Sequence, residues 1–270
     1  MLRDAGSQQL AASDRWQTAL SPFTATDLES AADQVSSERI DTKYVLSSAA
    51  ILRVLESLVD EFLVLDVDGT RFTTYRTQYF DTESYALFRR HHAGGGNRYK
   101  VRTRTYLNTG LAYVEIKRKS PTGATTKLRL PVPEFTRELS GDVAAFVDQH
   151  CTHQASSLIP ALCNRFDRIF LVGKDRSERL TIDLDVTIET DERPMLLPGV
   201  AVAELKQLRH THHLRDTPFQ RAMRELHVRP SGFSKYCMGL LLTQPKIKHN
   251  LFKPQLRKLR RLMGEPNAVC

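Results

Sequence analysis

The sequence predicts an α+β fold: antiparallel strands forming one curved sheet that closes as a barrel round a charged interior, with helices packed outside. Two observations carry this. In residues 99–106 and 113–120 every second residue is charged or polar, which puts Lys100, Arg102 and Arg104 on one face of the first strand and Glu115, Lys117 and Lys119 on one face of the second. The pattern returns in Arg39, Asp41 and Lys43, in Arg179, Thr181, Asp183 and Asp185, and in Glu204 and Lys206. Five strands with like-patterned charged faces fit a barrel whose apolar face lies outside, under helices. A sheet with one solvated face is the alternative reading of any single strand.

The elements follow from local patterns. Residues 1–30 form a polar N-terminal segment with the only tryptophan, Trp16, either packed on the domain as a short helix or mobile; 31–245 form the main domain, and 246–270 a basic tail. After a strand over 38–46, Ser47 or Ser48 N-caps a helix over 47–62, with Ile51, Leu52, Leu55, Leu58 and Val59 as its apolar stripe. A strand through 73–80 ends at Asp81, which caps a helix over 84–92. Glycines 94–96 break that helix and lead into the strand over 99–106, which Asn108 to Gly110 turn back into 113–119. Further strands are predicted at 125–132, 164–172, 178–189 and 202–209. Helices are predicted at 141–150, at 216–227 with Asp216 as N-cap and Pro218 in its first turn, and at 233–242.

Composition narrows the function classes. The 270 residues carry a formal charge of +8, but seven cations against one acid lie in the last 25 residues, so the body is close to neutral and basicity as such does not point to nucleic acid. Cys151, Cys163, Cys237 and Cys270 are scattered, without metal-site or disulfide spacing, and read as free thiols of a reducing compartment. No apolar leader or membrane-length run occurs, so the expected location is cytoplasmic. In the tail, Leu256, Leu259 and Leu262 alternate with Arg257, Lys258, Arg260 and Arg261 in a basic amphipathic helix suited to an anionic membrane surface, a protein partner or polyphosphate, with a solvated tail as the default.

Nine ordered signatures carry a family resemblance: R-x-D-x-K-Y at 39–44, YFD at 79–81 before a helix ending in Arg89 and Arg90, K-x-R-x-R at 100–104, E-x-K at 115–117, Lys127 before Arg129, NRFDR at 164–168, ER-x-T-x-D at 178–183, E-x-K at 204–206 and FSKYCMG at 233–239. Over residues 36–242 the chain resembles the VTC domain, the catalytic domain of the vacuolar transporter chaperone complex and its bacterial relatives, within the triphosphate tunnel metalloenzyme (CYTH-like) group. The resemblance implies a tunnel of antiparallel strands holding a nucleoside triphosphate or polyphosphate, and a phosphotransferase that makes inorganic polyphosphate from ATP with Mn²⁺ or Mg²⁺.

By the same resemblance, Lys43, Arg102, Arg104, Lys117 and Lys127 are phosphate-binding residues from the first half of the chain, and Arg165 and Arg179 from the second. Arg89 or Arg90 adds a cation, Lys100 and Lys206 extend the charged faces, Lys235 stands at the tunnel mouth, and Glu204 holds the metal. Arg102, Arg104, Lys117 and Glu204 form the implied catalytic set. Two departures stand out. Where many tunnel enzymes begin with E-x-E-x-K, this chain has Arg39 and Asp41 before Lys43, which favours the polymerase-like branch; and Gly232 stands where some members carry a further cation.

The chemistry suits these side chains, because phosphoryl transfer needs positioning and charge neutralisation more than covalent chemistry. Arginine forks bind phosphate bidentately and stay charged when desolvated. Asp183 and Glu115 are weaker metal candidates, and Asp183 and Asp185 equally fit pairing with arginines. His91, His92, His210, His212 and His213 lack ligand spacing, and Tyr99, Tyr106 and Tyr113 read as strand packing. A triphosphatase or polyphosphate hydrolase, and a non-catalytic polyphosphate- or nucleotide-binding module, remain as alternatives.

Overall fold

The computed structural model describes residues 14–27, 39–176, 178–208, 217–244 and 246–265. In chain order the elements are α1 (14–20), β1 (Thr24–Thr26), β2 (Arg39–Ser47), α2 (Ser48–Leu58), β3 (Phe62–Leu65), β4 (Thr73–Asp81), α3 (Ala86–His92), β5 (Arg98–Tyr106), β6 (Ala112–Lys119), β7 (Thr125–Val132), α4 (Gly141–His150), β8 (Ile159–Gly173), β9 (Glu178–Glu189), β10 (Met195–Leu196), β11 (Val200–Leu208), α5 (Pro218–Glu225), α6 (Lys235–Thr243) and α7 (Lys253–Leu262). The hydrogen-bonded order is β2-β11-β9-β8-β4-β5-β6-β7. β2 and β7 stand at its ends and no ladder joins them among the described residues, so the closed barrel expected from the sequence is corrected to an antiparallel sheet with two end strands, with helices packed on it. Alternating strands fix which side chains share a face; closure needs a further ladder between end strands, which local pattern does not specify.

The chain divides into two compact units, and the long strands β8 and β9 each contribute to both. The first comprises residues up to Thr73, Asp167–Leu184 and Gly199–Gly232. Its apolar strand positions, among them Tyr44, Leu46, Leu180, Ile182, Ala203 and Leu205, are buried in one core with Ile51, Leu55 and Leu58 of α2 and Phe219 and Met223 of α5. The interleaved residues Asp41, Lys43, Arg179, Thr181, Glu204 and Lys206 therefore project from the opposite face. Ser47 caps α2 by accepting from the Ala50 N–H at 3.1 Å. The predicted helix stops at Leu58, because Phe62 and Val64 alternate with half-buried neighbours as β3, which pairs with β1 and β8. Trp16, Leu20 and Phe23 are buried in the same core. Arg71 ties their segment down by donating through Nη1 to the carbonyls of Leu20, Ser21 and Phe23 and through Nε to Asp66.

The second unit comprises Thr74–Phe166, Asp185–Pro198 and Phe233 onward. Phe80, Tyr99, Val101, Val114 and Ile116 form its core with Leu87 of α3 and Val147 of α4. Asp81, fully buried, accepts from the Leu87 N–H at 2.8 Å and the Phe88 N–H at 2.9 Å, so it satisfies the first turn of α3 from the strand end, while Tyr85 sits in the left-handed region at φ 58°. After α3 the chain passes Gly96, whose Cβ would stand 2.4 Å from the Pro121 Cα, a contact that only glycine avoids. Gly110 closes the β5–β6 hairpin at φ 72°. Strand β8 begins at Ile159, earlier than alternation alone indicated, and α5 is capped by Thr217 in a capping box with Gln220; the predicted cap Asp216 lies outside the described residues, as do His210, His212, His213 and Cys270.

In the tail, Leu256 and Leu259 of α7 are buried in the fold, so the apolar stripe expected of a surface-seeking helix is largely taken up, leaving Arg257 and Arg261 exposed. Among the described residues no helix is long and apolar enough to cross a membrane.

Candidate functional site

In the second unit the ladder β4-β5-β6-β7 sorts the polar residues into rows. Lys100, Lys117 and Lys127 are direct cross-strand partners, and Arg102, Glu115 and Arg129 form the next row. Tyr79 of β4 pairs with Arg102, and Thr77 with Arg104, which itself pairs with Tyr113. Lys100, Arg102, Arg104, Lys117, Lys127 and Arg129 thus share one sheet face with the Glu115 carboxylate.

That carboxylate organises the face. Glu115, 1% exposed, accepts from Arg102 Nη2 at 2.6 Å and Nε at 2.7 Å, and its other oxygen meets Lys127 and, at 3.1 Å, Arg129. Burial pushes the Glu115 carboxyl up, but Arg102, Arg104 and Lys127 together hold it well below the usual carboxylate range. The same pair raises the pKa of Arg102 against the opposing effect of burial. Arg104 is buried, donates through Nε to the Thr77 hydroxyl at 3.2 Å, and lies over the rings of Tyr75 and Phe166, which stack on each other. The start of α6 reaches the same cluster: Lys100 Nζ donates to Ser234 Oγ at 2.9 Å, and Lys235 Nζ stands 4.1 Å above the Phe166 ring.

In the first unit, register brings Lys43, Glu204 and Thr181 into one row and Asp41, Lys206 and Arg179 into the next. Glu204 lies between two ammonium groups, Lys43 Nζ at 2.7 Å and Lys206 Nζ at 2.8 Å. Burial raises its pKa, yet these two lysines hold it well below the usual range. Asp41 is shared by Lys206 and Arg39, at 3.1 and 3.2 Å. Asp183 takes a bidentate pair from Arg168 of β8, so the arginine-pairing reading of Asp183 holds. Burial and the charge of Arg39 lower the pKa of Arg179. Thr181 Oγ1, beside Glu204 in the ladder, is buried without a hydrogen-bond partner.

Not every expected residue arrives on these faces. Phe166 packs under Arg104, so by alternation Arg165 points to the opposite face, the one on which Cys163 donates to Glu189. The Arg165 Nε is buried there without a partner. The strand phase picks out Phe166 and Arg168 instead, and a period-2 count from either would have found them. Arg89 and Arg90 are both exposed on α3, and Arg90 folds back to donate to the Gly96 carbonyl at 3.1 Å. Tyr79 was also missed, because a tyrosine in a strand reads as packing until register places it opposite Arg102. Among the described residues no group of three His, Cys, Asp or Glu could hold a metal ion. A half-open cleft of about 340 Å³ on the other face of β5–β7, lined by Tyr99, Ile116, Leu128 and Cys151, offers one cation, Arg118, too little charge for a polyphosphate.

A family model for the VTC domain matches residues 38–244. No curated protein matches the sequence significantly. Among solved structures, the Hippeastrum protein HpAC1, described as a candidate adenylyl cyclase that reveals a dominant triphosphatase activity, is similar at 15% identity and a TM-score of 0.50, over 79% of this chain and 98% of that one. A candidate adenylate cyclase from Bacillus halodurans aligns at 14% identity and a TM-score of 0.48, over 73% and 95% of the two chains. The first likeness shows a shared fold.

Proposed function

Because the chain belongs to the VTC domain family, we propose that it is a metal-dependent polyphosphate polymerase-like phosphotransferase, which moves the terminal phosphoryl group of ATP onto a growing inorganic polyphosphate chain. The observation that carries this is the row structure of the second unit, where Lys100, Lys117, Lys127, Arg102 and Arg104 share one face. That spacing of cations along a strand ladder matches a chain of linked phosphates better than a single anion. The guanidinium groups of Arg102 and Arg104 would fork onto phosphate oxygens, and the lysines would neutralise charge along the chain. In the reaction an oxygen at the chain end attacks the γ-phosphorus, the bond between that phosphorus and the β–γ bridging oxygen breaks, and ADP leaves with that oxygen.

Mn²⁺ or Mg²⁺ suits Glu204. A hard ion of this kind is held by one or two carboxylates plus substrate phosphates, and Glu204, with the orphaned Thr181 hydroxyl beside it, offers that donor set. When bound it supplies charge neutralisation at the phosphate oxygens. The residues of the chain do the rest: Lys43 and Lys206 hold the carboxylate ionised and in place.

A second reading, triphosphate hydrolysis, draws support from the activity ascribed to the Hippeastrum protein. Against it stands the start of β2, where Arg39 leaves Asp41 as the one acid before Lys43 and so fewer carboxylates on that strand to activate water. Incubating the pure protein with ATP and Mn²⁺ or Mg²⁺ and separating long polyphosphate from free phosphate decides between them. Long chains support the polymerase, free phosphate alone supports the hydrolase, and binding without turnover leaves a binding module.

A further inference from the structure

Tyr79 stands in an environment that packing does not explain. Its ring is fixed from behind by stacking on Tyr236, with centroids 5.1 Å apart, and the Tyr236 hydroxyl is held in turn by the buried Asp81. The hydrogen bond its own hydroxyl makes among the described residues is with a donor. Arg102 Nη1 points to it at 3.4 Å, and the charges of Arg104 and Lys235 bear on it. Arg102 is its hydrogen-bond partner among the described residues, and Arg102 can only donate. The phenol proton therefore has no acceptor, which is costly for a hydroxyl in a residue 5% exposed.

Among the described residues the charged and titratable neighbours have these partners, while the Asn164 side-chain amide is buried without one. From β5 come Arg102 and Arg104; from α6 Lys235 and Tyr236; Glu115 of β6 acts through Arg102; on β4 itself Asp81 is occupied by Tyr236 and the α3 amides, and Tyr75 lies under Arg104. On the phase of Phe166, β8 offers the uncharged Asn164. An anionic oxygen is the group this arrangement lacks.

We propose that Tyr79 is a ligand-contacting residue whose phenol O–H donates a hydrogen bond to a phosphate oxygen seated on Arg102. This rests on the phosphate-chain reading above, and it adds a consequence that the cations alone do not have. Burial raises the pKa of the Tyr79 phenol, but Arg102, Arg104 and Lys235 bring it below the ordinary tyrosine value. A bound polyanion offsets those charges and accepts the hydrogen bond, so the phenol is restored. Binding then takes up a proton wherever the pH lies above the lowered pKa, and affinity falls as pH rises through that range.

Inorganic tripolyphosphate is the probe, titrated calorimetrically into the wild type and Tyr79→Phe, which keeps the ring and its stack. The variant is expected to bind five- to tenfold more weakly near neutral pH, and to lose affinity less steeply than the wild type as pH rises toward 10. In the wild type alone, tripolyphosphate added at alkaline pH should reduce the tyrosinate absorbance near 295 nm. Equal affinity and equal pH slope in the two proteins, or an unchanged absorbance in a wild type that binds, overturns the inference while leaving the phosphate reading standing. A wild type that does not bind tripolyphosphate at all overturns both.

Discussion

Arg102 and Glu115 are direct cross-strand partners on β5 and β6, and the arginine closes on one glutamate oxygen with two nitrogens, at 2.6 and 2.7 Å. Lys127 and Arg129 take the other oxygen. One buried carboxylate thus restrains three neighbouring cations, the largely buried Arg102 and the more exposed Lys127 and Arg129.

Replacing Glu115 by Gln should therefore act in opposite directions on the free and the ligated protein. Without ligand, the unbalanced cations should cost about 3–5 kcal/mol of stability. With tripolyphosphate, the freed cations should give a larger rise in melting temperature than in the wild type. Thermal melts with and without tripolyphosphate read both, and an unchanged rise would contradict the restraint.

For the wild type, tripolyphosphate at a hundredfold excess over its dissociation constant should stabilise the fold by about 2.7 kcal/mol. In a chain of this size that is roughly 5–10 °C in melting temperature. The rise should shrink with added salt, since the contacts are ionic. No shift at low salt would argue strongly against a phosphate site.

Glu204→Gln preserves shape and removes the charge held between Lys43 and Lys206. Turnover with Mn²⁺ or Mg²⁺ should fall by at least about 10²-fold. Metal-free tripolyphosphate affinity should hold or improve, because the two lysines lose their competing carboxylate. Parallel turnover and calorimetry separate these effects, and equal turnover in both proteins would remove Glu204 from the metal role.

His91 of α3 should make stability depend on pH. Burial, with Lys100 and Arg98 nearby, pushes its imidazole down to about 3, so between that value and the unfolded value of about 6.5 the unfolded chain binds a proton that the native protein does not. Stability then falls as pH drops through this window, by at most about 1.4 kcal/mol per unit and less after solvent screening. His91→Gln should flatten the slope between pH 6.5 and 5, above the range where Glu115 and Glu204 protonate. Denaturant melts across that window test it, and identical slopes would refute it.

Trp16 is 1% exposed in the core of the first unit. Trp16→Ala should destabilise by about 3–5 kcal/mol, read by circular dichroism because the only tryptophan is lost. A near-neutral result would mean that the N-terminal helix does not hold its place in solution.

Much of this was legible in the residues themselves. Period-2 alternation is a local property, so the faces shared by Lys100, Arg102 and Arg104, or by Glu204 and Lys206, follow from spacing alone, as does the hairpin at Gly110, whereas the structure chose Ser47 over Ser48 as the helix cap. The family followed as well, since its signatures are ordered along the chain. Which residues meet across strands did not. Register is set by long-range pairing, and it alone put Tyr79 opposite Arg102, made Glu115 the hub of three cations, and joined Arg168 to Asp183. It also turned Arg165 away, since the phase of a strand reads only from a neighbour whose facing is known. Whether the sheet closes was decided last, by its end strands β2 and β7, because a closing ladder depends on cumulative twist and stagger over every strand and no single segment encodes it.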